Sequence, residues 1–250
     1  MRPAEGSVRA AYADAIAVLA HRVLDTLRGV GDTAPLAGFV EGAADPKAAL
    51  AAIRIIGADT LAAQALGGAA AHPGDVAAVR QAAAVFPTPV HVPAPPEGSA
   101  ENWAVAWRDW ATARLLERHA DGGAETHAPQ PAAGPALAPN GSWQSWAVLM
   151  AQLSPLSLPG VEGPVPDAAR RHPVSLARGI TRAMLRRDYP TAARLARWIA
   201  VLHRDGVPLP LDPAPLVEHI SLHAGGGTRL ALDVAIARAL LATTPGRTAG

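Results

Sequence analysis

Cysteine is absent from this 250-residue chain, which excludes disulfides, thiolate metal sites and cysteine nucleophiles and fits a reducing cytoplasm. Lysine is nearly absent too: Lys47 is the only one among 22 basic residues, the rest being arginine. With the heavy use of Ala, Gly and Pro, that bias is the coding signature of a GC-rich bacterial genome. Phe and Tyr number two each, so core bulk must come from Leu, Ile, Val and the six tryptophans. No apolar run is clean enough for a membrane span, because the most apolar stretch, 48–71, is broken by Arg54 and Asp59. The opening residues, Met1-Arg2-Pro3-Ala4-Glu5-Gly6, lack the apolar core of a signal peptide. A soluble, cytoplasmic protein with no membrane partner is expected. No segment sustains the alternation of a strand, and 89–92 is at most a short extended edge.

What is present is alanine at helical spacing. Ala has the best intrinsic helix propensity and loses no side-chain entropy on folding. Prolines and glycines, 24 and 23 of them, cluster between the periodic segments rather than inside them. The expected fold is all-α, a helical bundle or an irregular array of αα-hairpins. Ser7 caps a first helix with Tyr12, Ile16, Leu19, Val23 and Leu27 on one face. A short helix follows at 36–41. Asp45-Pro46 opens the next, Asp59 could cap its continuation to Leu66, and His72-Pro73 opens another reaching Val85. The proline-dense stretch 86–98 should be extended, and Ser99 caps a helix to about residue 120. Residues 121–142 are low in complexity and poor in large apolar side chains, which predicts a flexible linker. It would divide an N-terminal helical region (1–120) from a C-terminal one (143–250). The latter reads as a helix at 143–153, a Pro/Gly-rich loop to 166, and helices at 173–187, 190–203, 213–223 and 228–242.

Two segments echo each other. Pro96-Glu97-Gly98-Ser99 leads to Trp103-Ala104-Val105, and Pro139-Asn140-Gly141-Ser142 leads to Trp146-Ala147-Val148. A duplicated unit or a low-entropy composition would both produce this. The stretch 184–196, with Asp188, Tyr189 and Ala192, resembles the turn and second helix of a tetratricopeptide repeat. Ala196 stands where that family places a large aromatic, and no neighbouring repeat follows at its period. The resemblance implies an αα-hairpin.

Charge is strongly segregated. Window 168–204 holds Arg170, Arg171, Arg178, Arg182, Arg186, Arg187, Arg194, Arg197 and Arg204 against the single acid Asp188. Arg178, Arg182 and Arg186 fall at i, i+4 and i+8, opposite Leu176, Ile180 and Ala183. Such a stripe repels itself unless an anion neutralises it. It is either a solvated face, one pairing with acids of the N-terminal region, or a ligand surface involving Arg171, Arg178, Arg182, Arg186, Arg194 and Arg197. Nucleic acid, with Trp198 for stacking, is disfavoured by the lack of helix-turn-helix spacing, zinc framework or overall basic excess.

Trp103, Trp107 and Trp110 lie at i, i+4 and i+7, with Trp143 and Trp146 further on. They are either core or an aromatic wall facing a cavity between the two regions. His219 and His223 could share a metal at i, i+4, but HExxH is absent and no third ligand is adjacent, so no metal and no cofactor is expected. Gly225-Gly226-Gly227-Thr228 follows a helix rather than a strand, and reads as a turn with Thr228 as N-cap. No nucleophile motif or paired carboxylates point to catalysis, and whether the chain is an enzyme is not legible. The leading expectation is a non-catalytic binding or accessory protein holding an acidic protein or peptide on the arginine face. The alternative is a helical enzyme or binder of a small hydrophobic or anionic molecule in a tryptophan-lined cavity. Oligomeric state is not encoded legibly.

Overall fold

The structure, a computed structural model, describes residues 5–89, 91–120, 129–223 and 225–243. The fold is all-α. Its elements are α1 (Glu5–Leu27), α2 (Pro35–Glu41), α3 (Pro46–Ile56), α4 (Ala62–Gly67), α5 (Pro73–Val85), α6 (Ala100–His119), α7 (Trp143–Gln152), α8 (Pro164–Arg171), α9 (Pro173–Leu185), α10 (Tyr189–Arg204), α11 (Pro213–His223) and α12 (Thr228–Ala242). Single 3-10 turns occupy Gly57–Leu61, Pro135–Leu137 and Ser154–Ser157. Among the described residues there is no strand, only an isolated bridge in which the Ala71 N–H donates to the His119 carbonyl at 2.7 Å.

Prolines sit where the helix needs no N–H, in the first turns of α2, α3, α5, α8, α9 and α10. Side chains supply the remaining acceptors. Asp45 caps α3, Ser99 caps α6, Ser142 caps α7 and Asp188 caps α10. Asp75 of α5 caps a different helix, accepting from Leu36 and Ala37 at the start of α2. Burial pushes its carboxyl pKa up, against the lowering effect of those two N–H groups.

The N- and C-terminal helices share one continuous core, from Leu19 and Leu24 of α1 to Ile236 and Leu240 of α12. α1 packs against both α3 and α12, while α10 lies among α7, α9, α11 and α12. The apolar segment Pro46–Gly67 is 22 residues long and holds an 18-residue window of mean hydropathy 1.4, apolar enough to cross a membrane, but 67% of that window is buried inside the protein.

The expected linker, 121–142, is described only in part. Residues 121–128 lie outside the described residues, but 129–142 are packed. The Trp103 indole N–H donates to the Ala132 carbonyl at 3.0 Å, and that of Trp146 to Leu137 at 3.1 Å. Leu137 is buried, and a Cβ on Gly134 would lie 2.4 Å from the Ala94 Cβ. Small side chains provide little apolar area, yet they let this strap approach the 94–98 segment closely. The helix α8 begins in the stretch read as loop and continues over 167–171, where no helix is expected. Its start at Pro164 buries Val165, Pro166, Ala168 and Ala169. Asp59 caps nothing, and Thr228 is not a cap: Gly227 holds that position in α12, with no side-chain bond.

Candidate functional site

The basic run splits into two populations on either side of one turn. α9 and α10 form the αα-hairpin, closed at Arg187 in the left-handed region (φ 58°) and capped by the Asp188 carboxylate on the Thr191 N–H. α10 is buried on most of its surface, and Arg197 on it is 0% exposed. Its guanidinium donates to both oxygens of Asp59, at 2.6 and 2.9 Å, to Asp233 at 2.7 Å and to the Ser157 hydroxyl at 3.2 Å. Arg229 also donates to Asp59 and lies 3.6 Å from Asp233. Two guanidiniums therefore face two carboxylates in the core, linking the first 3-10 turn, α10 and α12. Burial alone would push the Asp59 carboxyl up, but Arg197 and Arg229 hold it below its ordinary value. The same carboxylates hold the Arg197 pKa above its ordinary value despite burial.

Arg197 is thus removed from the proposed ligand face. Arg194 belongs to the rim of this cluster, its Nε 3.7 Å from Asp233. Trp198, considered for base stacking, is fully buried and donates to the Met150 carbonyl at 2.8 Å. Arg108 stands beside the cluster with its Nε buried and without a partner among the described residues. Burial pushes its guanidinium pKa down, Asp109 opposes this, and Arg229, Arg194 and Arg54 add repulsion.

The second population faces outward. Arg171, Arg178, Arg182 and Arg186 are exposed, and make no ion pair among the described residues. Arg170 and Arg204, by contrast, are paired with Asp167 and Asp205. Leu176, Ile180 and Ala183, on the other side of α9, are buried. Gly179 lets α9 approach α7 and α10: a Cβ there would lie 2.6 Å from the Ala147 Cβ and 3.1 Å from a Leu195 methyl. On the outer side, Arg178, Arg182 and Arg186 border a shallow groove with an apolar floor of Trp143, Val174, Ala177, Leu185 and Pro210. Leu185 is 82% exposed and Val174 51%.

The tryptophan wall is mostly core. Trp103, Trp107 and Trp146 are buried, and Trp103–Trp107 and Trp107–Trp110 meet edge to face at 5.9 and 5.3 Å. Trp143 is half-buried in the arginine groove. Only Trp110 of the five borders a second, more enclosed cleft, and that cleft does not lie between the two expected regions. It has a volume of about 730 Å³ and lies among α3, α5 and α6, beneath the proline-rich residues 87–89, 91–93 and 129–132. Its hydrogen-bonded polar groups come from α3, α6 and the segment between α5 and α6. Arg54 donates to Asp109 at 2.7 Å, and the Thr88 hydroxyl donates to the same oxygen. No local spacing announces them, because they come from three separate segments.

No protein-family model, curated protein or solved structure matches the chain. His219 and His223 stack with ring centroids 4.2 Å apart, and His223 Nδ1 lies 2.9 Å from the His219 carbonyl oxygen. Among the described residues no cluster of three metal-ligating side chains occurs.

Proposed function

We propose that the protein is a non-catalytic binding or accessory protein that holds an acidic, amphipathic segment of a partner protein on the outer face of α9. The observation that carries this reading is that unpaired cations and an exposed apolar floor belong to the same groove. Arg178, Arg182 and Arg186 supply positive charge without an internal counterion among the described residues, while Leu185, Val174 and Trp143 supply apolar surface beside it. A helix with leucines at i, i+3, i+4 and i+7 and carboxylates on its flanks meets both requirements at once. Exposed charges steer association and set specificity, and the apolar floor adds area-dependent affinity.

The test uses a labelled amphipathic peptide with that leucine pattern and flanking glutamates, followed by fluorescence anisotropy. Binding should weaken as salt rises, because exposed charges are screened over about 10 Å at 0.1 M. It should be lost in the R178Q/R182Q/R186Q protein and weakened in L185E. A peptide with flanking lysines should not bind. Equal binding of the acidic peptide by the triple variant, or none by the wild-type protein, would overturn the proposal.

A further inference from the structure

We propose a second, independent binding site: the cleft among α3, α5 and α6 takes a neutral, largely apolar small molecule that ends in an amide or hydroxyl group. Its volume of about 730 Å³ lies within the roughly 300–1,000 Å³ of small-molecule sites, and a mostly apolar lining with a few convergent polar groups is their usual character. Ile53, Val79, Trp110 and Leu116 provide apolar wall. The roof is fixed in place. Trp103 holds the Ala132 carbonyl, Gly134 abuts Ala94, and a Cβ on Gly98 would sit 2.0 Å from the Pro93 carbonyl oxygen. A roof tied this way does not settle into the space beneath it.

The polar end sets the chemical class. Arg54 and Asp109 neutralise each other at 2.7 Å, and Thr88 donates to the Asp109 oxygen that Arg54 uses. A charged ligand group would have to separate this pair or leave an uncompensated charge in an apolar cleft, both of which are costly. A neutral group does neither. Among the described residues the other Asp109 oxygen accepts no hydrogen bond, and Arg54 Nε and Nη1 donate none. The Thr112 hydroxyl donates to the Arg108 carbonyl and keeps lone pairs for accepting. The cleft thus offers donors and an acceptor side by side, matching a group that is itself both. Arg80 and His91 also line the cleft but are exposed to water.

The experiment is a fluorescence titration with N-phenyl-1-naphthylamine, a neutral apolar probe carrying one N–H. Ala83 lines the cleft yet is exposed, so Ala83→Trp fills the space without entering the core, and Ala83→Arg is a second block should the first fail to fold. Wild-type protein should bind a single probe per chain, L185E should bind it equally, and either Ala83 variant should weaken it by about tenfold or more. Decanamide should displace the probe at lower concentration than decanoate or decylamine. Absence of wild-type binding, equal binding by the folded Ala83 variants, loss in L185E, or decanoate or decylamine competing as well as decanamide would overturn the proposal. Because L185E alters only the α9 groove, failure here is separable from failure of the peptide-binding reading.

Discussion

Arg178 and Arg182 of α9, Arg186 just past its end and Arg197 of α10 come from one basic run, separated by one tight turn, but only Arg197 has been taken out of water. The difference lies in the neighbours. α9 packs inward on α7 and α10 and leaves its other face open, whereas α10 is enclosed by α7, α9, α11 and α12. A cation on an enclosed helix survives only with its hydrogen bonds and charge met, and Asp59, Asp233 and Ser157 meet them. The same residue type therefore acts as an internal clamp on one helix and stands exposed, without an ion pair among the described residues, on the other side of the turn.

The sharpest way to break this comparison is Arg197→Met, which leaves Asp59 and Asp233 buried opposite one another. Removing one member of a buried pair costs about 3–5 kcal/mol, readable by urea unfolding, and Asp59→Asn with Asp233→Asn should restore part of it. The pH dependence has a defined sign. Asp59 is held below its ordinary value of 3.8, so its contribution is fully present above 3.8 and is lost as pH falls through the lowered folded value. Acid unfolding followed by tryptophan fluorescence should begin below that pH.

A smaller effect is expected where α9 meets α7. Gly179→Val places atoms where Ala147 leaves no room, and overpacking of this kind costs about 1–3 kcal/mol; a melting temperature equal to wild type would show that the two helices can separate freely.

His119 should contribute less again. Its Nδ1 lies 3.1 Å from the Ala69 carbonyl, so that nitrogen carries the proton, while Nε2 is buried without a partner. Burial pushes its pKa below 6.5. Its contribution is full above 6.5 and falls as the pH drops toward the folded value, so thermal melts from pH 7 to pH 5 should show a slope that His119→Gln reduces. The least effect of all should come from R178Q/R182Q/R186Q, within about 0.5 kcal/mol per substitution. A large loss of stability would mean that the α9 stripe is a second internal clamp.

Much of the helix framework was readable because its punctuation is local. Asp45-Pro46 opens α3, Ser99 and Ser142 open α6 and α7, and α11 and α12 run over the residues that their spacing indicates. The echo between the two Ser–Trp segments reappears as two equivalent capped helices, each sending an indole N–H to the same strap. α8 escaped because Pro164 and Pro166 look like loop when its buried face is unknown. The outward side of α9 was readable from i, i+4, i+8 against Leu176 and Ile180. Arg197 was not, since nothing in its own neighbourhood distinguishes it from a surface arginine. The cleft was hidden for the same reason: Arg54, Thr88 and Asp109 meet only after the chain has returned on itself.

The Arg197–Asp59 bond joins residues 138 positions apart, and that separation has a temporal meaning. Asp59 leaves the ribosome long before Arg197 exists; at about 5–20 residues per second the interval is on the order of ten seconds. Throughout it, the most apolar stretch of the nascent chain carries a carboxylate with no dry place to go and no α12 to cover α1. The Arg197–Asp59 bond and the α1–α12 contact therefore form only after the last helices have been made, whatever the first helices have already packed against.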